Sequence, residues 1–321
     1  MSLTSSRQMI ACLLLLLAPA VMQAQELKVT LLGTGEPEPT VERFGPSTLV
    51  EAGMETLVFD AGRGASQRLW QRSVKLGEIT AIFLTHLHSD HVVGLPDLWL
   101  TGFQSTAFGG RRSSLQVWGP EGTDDMVGNM RKTFQADVQQ RRQGADLSEA
   151  AVAVSGHDVV EGVVYERGGG KVTAFSVDHG VPALPALGYR VDYAGRSVVI
   201  SGDARPSENV VRFGQGADVL IHEVMAARPA VLQQSESARR VMSSHTSPED
   251  AGRIFARVKP KLAVYTHVSV VAGPAARGAV MSEIIPRTSS TYGGAVELGE
   301  DLMSIVIGDR VVVQRFTGPV R

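Results

Sequence analysis

Along this chain the hydrophobic positions fall in short runs, each broken by glycine, proline or charge. Between Leu27 and Gly62, "LKVTLLG", "STLVEAG" and "TLVFDAG" read as three strands. A helical pattern follows over Ala65–Arg72. The apolar stretch "ITAIFLTH", ending at His86, reads as a buried strand. Asp97–Gly102 opens another helix, "LQVWG" is a strand, and Asp124–Arg142 reads as one long helix. "VTAFSVDHG", "LGYRVDY", "SVVISGD" and "ADVLIHEV" predict four further strands. Ser247–Val258 has the chemistry of a helix start: Ser247 as N-cap, Pro248 in the first turn, Glu249 and Asp250 near the positive end of the dipole. "KLAVYTH" is again a strand, and "MSIVIG" with "RVVVQRF" form a closing hairpin.

Hairpins and strand–helix alternation are mixed. That predicts sheets covered by helices rather than a doubly wound parallel sheet. No internal repeat and no long linker divides the chain, so residues 25–321 read as one domain. A content of 43% hydrophobic residues in 321 supplies a large core. "GGGK", Gly168–Lys171, is a turn: no helix follows it, as a phosphate-binding loop would require.

The N-terminus stands apart. Residues 1–24 have one cation, Arg7, then an apolar run from Met9, then small residues up to Ala24. This is the layout of a cleaved secretory signal, and it predicts a periplasmic or secreted protein with no membrane contact after cleavage. The run is short for a membrane span. Most of the run, from Leu13 on, follows Cys12, whereas lipid attachment would need it before the cysteine, and Cys12 is the only cysteine. The mature chain therefore has no disulfide and no thiolate, and any metal site must use histidine and carboxylate. With 31 basic and 33 acidic residues there is no basic tail, which counts against a nucleic-acid partner. Oligomeric state is not encoded legibly, and a homodimer is allowed.

Candidate chemistry centres on "THLHSDHVVG", Thr85–Gly94, where His86, His88, Asp90 and His91 fall within six residues. Imidazole nitrogen and carboxylate oxygen are what zinc takes, and crowded histidines would otherwise repel when protonated. Further polar residues end apolar strands: His179 in "FSVDHG", Asp203 in "VVISGD", His222 and Glu223 in "VLIHE", and His267 in "LAVYTH". One such residue means little, but together they predict delivery of functional groups to one sheet edge. His222 reads as a packing residue and His157, in a polar Gly-flanked segment, as uninvolved.

These segments resemble the metallo-β-lactamase superfamily, and within it the ribonuclease Z and arylsulfatase-like branch. "LLGTGEPEP", "LVFDAGRG", "THLHSDHVVGL", "DHG", "SGD", "IHEV", "SSHTSPEDAG" and "THVS" carry the resemblance, which spans about Leu27 to Val313. It implies an αββα sandwich with two mixed sheets flanked by helices and two metal ions. Carried onto this chain, one ion is held by His86, His88 and His179, the other by Asp90, His91 and His267, with Asp203 between them. Zinc is implied, though the same donors accept manganese or iron. Asp90, His245 and Glu223 are the implied catalytic residues, His245 giving a proton to the leaving oxygen while Glu223 orients it.

The implied reaction is hydrolysis by a metal-bound hydroxide. Two dications, two aspartates and one hydroxide leave about +1, which favours a small anionic ester, so a sulfate or phosphate ester is the leading expectation. The alternatives are a lactonase or β-lactamase attacking a carbonyl, and a tRNA 3′-processing endonuclease. A non-catalytic metal-binding module is disfavoured because all seven ligand positions are filled. "THVSVVAG" lacks the Arg and Tyr of the ribonuclease Z pattern, and no long basic arm is visible. Arg111 and Arg112 read as a solvated loop rather than an anion guide. Trp99 and Phe103, four apart, read as core packing or as the lining of an aryl pocket.

Overall fold

The computed structural model describes residues 26–180 and 185–318. The expected signal segment, residues 1–24, lies outside them. Among the described residues fifteen strands form two sheets. The N-terminal half supplies β1 (Leu27–Gly33), β2 (Ser47–Ala52), β3 (Glu55–Phe59), β4 (Ala81–Phe83), β5 (Leu115–Gly119) and β6 (Val154–Asp158). The C-terminal half supplies β7 (Gly162–Arg167), β8 (Gly170–Val177), β9 (Ala186–Tyr193), β10 (Arg196–Ile200), β11 (Val219–Ala227), β12 (Leu262–Val271) and β13 (Val296–Leu298). The closing hairpin, β14 (Ser304–Ile307) and β15 (Val311–Gln314), crosses back to the first sheet. The first sheet has the order β15-β14-β1-β2-β3-β4-β5-β6 and the second β13-β12-β11-β10-β9-β8-β7. Both mix parallel and antiparallel pairs.

Alternation along each strand builds the layers, because successive side chains leave a strand on opposite faces. Leu57 and Phe59 of β3, Ala81 and Phe83 of β4, Val198 and Ile200 of β10, and Val219 and Ile221 of β11 all enter the core between the sheets. Their neighbours Val58 and Ile82 face one outer layer, Val199 and Leu220 the other. Phe59 and Phe83 stack at 5.0 Å and both meet Tyr189 of the opposite sheet. The outer face of the first sheet is covered by α1 (Ala65–Gln71), α2 (Ser89–Val92), α3 (Leu95–Gly102), α4 (Thr123–Thr133), α5 (Gln135–Gly144) and α6 (Glu149–Val152). The second sheet is flanked by α7 (Glu208–Gly214), α8 (Pro229–Gln234), α9 (Glu236–Met242), α10 (Pro248–Val258), α11 (Pro274–Ser282) and α12 (Ile284–Ser289). This is the expected αββα sandwich. No helix among the described residues is long and apolar enough to cross a membrane.

Ser247 caps α10 as expected, its hydroxyl accepting from the Asp250 amide at 3.1 Å. The long helix expected over Asp124–Arg142 is instead two. Phe134 interrupts it, with its ring against Trp99 at 6.4 Å, and α5 beyond it buries none of its residues. Trp99 and Phe103 belong to the core, with Trp99 Nε1 donating to the Val152 carbonyl at 2.9 Å, and neither lines the cavity over the histidine cluster. Arg111 corrects the solvated-loop expectation. It is buried and donates to the carbonyls of Ile79 and Leu76 at 2.9 and 2.6 Å, and burial pulls its pKa down to about 10. Arg112 is exposed. Gly168 and Gly169 make the β7–β8 turn with positive φ, as "GGGK" predicts.

Candidate metal centre

The short strand β4 ends at Phe83, and the chain leaves the sheet through Thr85 and His86 into α2. His88 is the residue before that helix, so Asp90 and His91 follow on its single turn. The segment is docked from below: the Ala61 amide donates to the His91 carbonyl and the Gly94 amide to the Ala61 carbonyl, at 2.7 and 2.8 Å. His179 follows β8, Asp203 follows β10, and His267 lies within β12. Gly202 makes the approach of the two sheets possible. Its φ is +62°, and a Cβ there would stand 2.7 Å from the Leu187 carbonyl and 2.9 Å from Thr85 Cβ.

His267 reaches the site through a bulge. Glu223 pairs with Thr266 and Val224 with Val268, which leaves His267 as the extra residue, at φ 43°. A non-glycine in the left-handed region is strained, and here the strain turns the imidazole inward.

The structure brings all seven expected ligands together. Asp203 Oδ2 lies 3.9, 3.4, 3.9 and 3.2 Å from the Nε2 atoms of His86, His91, His179 and His267. Asp90 Oδ2 lies 3.5 Å from His91 Nε2 and 3.3 Å from His267 Nε2. His86 Nε2 and His88 Nδ1 are 2.9 Å apart. The sets His86–His88–His179 and Asp90–His91–His267 each converge within 4.8 Å, as does His86–His91–Asp203. These donors fit divalent ions. Five imidazoles and two carboxylates face one another, mostly buried, and His91 Nε2 is a buried nitrogen with no hydrogen-bond partner among the described residues. Only nitrogen and oxygen donors are present, which suits zinc, manganese or iron.

Most of the outer ring nitrogens are held as well. His91 Nδ1 meets Asp60 Oδ2 at 2.9 Å, and the same carboxylate accepts from the Thr85 amide and hydroxyl at 2.7 and 2.9 Å. His179 Nδ1 donates to the Ser244 carbonyl at 3.0 Å, and His86 Nδ1 lies 3.1 Å from the Thr85 hydroxyl. Such contacts aim the other nitrogen into the site. Asp60, Thr85 and Ser244 were not picked out from the sequence. Asp60 was findable, since "LVFDAG" ends an apolar strand in a carboxylate as "VVISGD" does.

Charge follows packing. Burial pushes His86 well down, and its histidine neighbours add to that. Burial also opposes protonation of His91, but Asp203 and Asp60 outweigh it and hold the ring well above the usual histidine range. Burial likewise works against ionisation of Asp203, and His267 and His91 overcome it, so its carboxyl sits well below the usual range.

His245 and Glu223 adjoin the ligands. His245 Nδ1 meets Glu223 Oε2 at 3.3 Å, and Glu223 Oε1 accepts from the Thr246 amide at 2.8 Å. The His245 ring stacks on His267 at 5.6 Å and meets His179 edge-on at 4.9 Å. Burial lowers its affinity for a proton, but Glu223 and Asp203 raise its pKa to about 9. His222 points away from this group. It is fully buried against Phe255, with Nδ1 donating to the Glu223 carbonyl at 2.7 Å. His157 stacks on Trp118 and bonds Gln116, and touches no ligand. A cavity of about 490 Å³ opens over His88, Asp90, His179, Asp203, His245 and His267. Another of about 440 Å³, beside Trp99, Arg131 and Arg142, shares none of these residues.

A cluster of histidine and aspartate donors at one edge of an αββα sandwich defines a class, the metal-dependent hydrolases. The family model described as a beta-lactamase superfamily domain matches residues 55–268. A curated relative named Ribonuclease Z, from Mycobacterium marinum, is 33% identical over 287 residues, covering 88% of this chain and all of the relative. In fold, the chain is similar to the metallo-beta-lactamase fold protein YhfI from Bacillus subtilis (TM-score 0.68, 17% identity, 88% of this chain and 99% of that one). It is also similar to human tRNase Z, short form (TM-score 0.64, 24% identity, 87% and 99%). The chain therefore belongs to the metallo-β-lactamase superfamily, among its ester-cleaving hydrolases and in the branch that holds ribonuclease Z.

Proposed function

We propose that this protein hydrolyses phosphodiester bonds by ribonuclease Z-type chemistry. The observation that carries this reading is the placement of the His245–Glu223 pair against the ligand cluster. A proton donor there serves a poor leaving group such as a sugar alkoxide, which needs a proton to depart.

His86, His88 and His179 would hold one ion and Asp90, His91 and His267 the other, with Asp203 facing both sets. Bound dications would supply Lewis acidity and a water acidic enough to ionise near neutral pH. The chain's own residues do the rest. Asp60 and the Ser244 carbonyl hold the imidazoles in place. Glu223 keeps His245 protonated and aimed into the cavity. Hydrolysis exchanges the ester P–O bond for one from a water oxygen to phosphorus; the leaving oxygen takes the His245 proton, and the proton given up by the water restores His245. The products are a phosphomonoester and an alcohol.

Processing of RNA 3′ ends is supported by the relatives' printed names, more strongly than the hydrolysis of small sulfate or phosphate esters that the sequence alone put first. A small anionic ester is the second reading. Its support is local: acidic residues at the cavity wall, and "THVSVVAG" where an Arg and a Tyr were expected. Export to the periplasm and a homodimeric state remain proposals from sequence. The test is turnover by the zinc-loaded protein on an RNA with a 3′ trailer, bis(4-nitrophenyl) phosphate, 4-nitrophenyl sulfate and a chromogenic β-lactam, side by side. Cleavage of either phosphodiester, with the sulfate and lactam untouched, is the expected result. Turnover of the sulfate or the lactam alone would sink the reading.

A further inference from the structure

His245 belongs to two cavities. One is the cavity over the ligand cluster. The other, of about 380 Å³, has Arg205, Leu232, Arg239, Met242 and Asp250 in its wall and shares only His245 with the first, so the imidazole is the partition between them. Arg205 lies two residues beyond Asp203. Its amide donates to the Asp178 carbonyl at 2.7 Å, its Nε to the Ser243 carbonyl at 2.6 Å, and its Nη1 to the Asp178 carboxylate at 3.3 Å. Gly180, at φ +80°, leaves it room: a Cβ there would stand 2.9 Å from Arg205 Nη2. Arg239, on α9, donates through Nη1 to the Leu232 and Gln233 carbonyls at 2.6 and 3.2 Å. Both guanidiniums are thus anchored, and among the described residues Nη2 of each has no hydrogen-bond partner. The carboxylates nearby are matched: Asp178 by Arg205, Asp250 by Arg253, Glu236 by Arg240 and Glu223 by His245. Arg239 forms no ion pair among the described residues, whereas the cavity over the ligands has no lysine or arginine in its wall.

We propose that Arg205 and Arg239 form a phosphate subsite on the leaving side of the substrate, for the 5′-phosphate of the nucleoside whose 3′-oxygen departs. The inference rests on the phosphodiester reading and deepens it, from any phosphodiester to a nucleotide strand. In an in-line displacement the leaving oxygen lies opposite the attacking water. The group that takes the His245 proton therefore extends past that imidazole, and the second cavity is what it meets there. Arginine suits the task, because its planar fork matches two phosphate oxygens at once. The bonds to Ser243, Leu232 and Gln233 hold the two forks before a ligand arrives, so little side-chain freedom is lost on binding.

The test gives the zinc-loaded protein three dinucleotides: uridylyl-(3′→5′)-uridine (UpU), the same with a 5′-phosphate (pUpU), and the same with a 3′-phosphate instead (UpUp). Hydrolysis at the 3′-oxygen releases uridine from UpU and UpUp, and uridine 5′-phosphate from pUpU. A dinucleotide that is not cleaved is scored by its Ki against bis(4-nitrophenyl) phosphate. The expected wild-type kcat/KM for pUpU is about tenfold above that for UpU, through KM, with the gain shrinking in high salt. In the Arg205→Gln/Arg239→Gln double variant the pUpU-to-UpU ratio should fall to about one while the UpUp-to-UpU ratio stays where it was. Arg239→Gln alone, which keeps the Arg205 bond to Ser243, should lose about threefold of the gain. A merely structural role for the pair would slow all three dinucleotides alike and preserve the ratio. That result, a wild-type ratio near one, no measurable Ki for an uncleaved dinucleotide, or an equal fall for pUpU and UpUp overturns the subsite and leaves the phosphodiester reading standing. Hydrolysis of none of the four compounds overturns both.

Discussion

The two sides of the metal pocket are built in opposite ways. His86, His88, Asp90 and His91 come from six consecutive residues on one loop-and-turn segment of the first sheet. His179, Asp203 and His267 come one at a time from the second sheet, the first two just past the ends of β8 and β10 and the third at a bulge within β12. The first side is fixed by local geometry, since a strand end and a single helical turn set where four side chains can point. The second is fixed by topology, since nothing near Asp203 in sequence says that β10 runs beside β11 and ends opposite Thr85.

Removing metal tests both sides at once and has the largest expected effect. Chelation should abolish turnover, and adding zinc back at a hundred times its Kd should raise stability by about 2.7 kcal/mol. A thermal melt with and without zinc measures this, and an unchanged Tm would mean the ions do not join the two sides. Next come the ligands. His88→Ala and Asp203→Asn should each cost about 10³-fold in kcat/KM, a few kcal/mol of transition-state stabilisation. Metal content separates them: Asp203 faces ligands of both ions, so its variant should lose more metal than His88→Ala. Full metal retention in Asp203→Asn would show that the local segment suffices alone.

His245→Ala should slow an alkyl or nucleoside leaving group by roughly 10²–10⁴-fold and a nitrophenyl group far less. Equal losses on both would remove the proton-donor role. The smallest effect is expected at Asp60→Asn, which leaves every ligand in place but weakens the hold on His91, for a loss of about 10–100-fold in activity or metal affinity. Rescue of that variant by excess zinc would place the defect in metal retention.

The same contrast explains what could be read before the structure. The strands that lead to His179, Asp203 and His267 were legible as apolar runs reaching a polar residue, although β12 continues past His267 to Val271, and α10 was legible from Ser247 and Pro248. β6 and β7 were not, because "VSGHD" and "GVVYER" are half exposed and carry no clean alternation. Phe134 gave no sign that it would break a helix, since only its packing on Trp99 distinguishes it. Asp60 was overlooked because its partner, His91, lies on the next segment rather than in its own. The His267 bulge is invisible in sequence, where "LAVYTHVSVV" reads as unbroken strand.

One consequence of ligands drawn from both sheets concerns the unfolded chain. Asp90 and His267 are 177 residues apart in sequence, and Asp203 faces histidines from both halves. An ion bound across them is a cross-link. It closes a long loop and so removes more freedom from the unfolded ensemble than a local clip would. The chain's single cysteine, Cys12, leaves it without any disulfide of its own. In this fold the catalytic centre doubles as the staple, and the sheets are stitched together where the chemistry takes place.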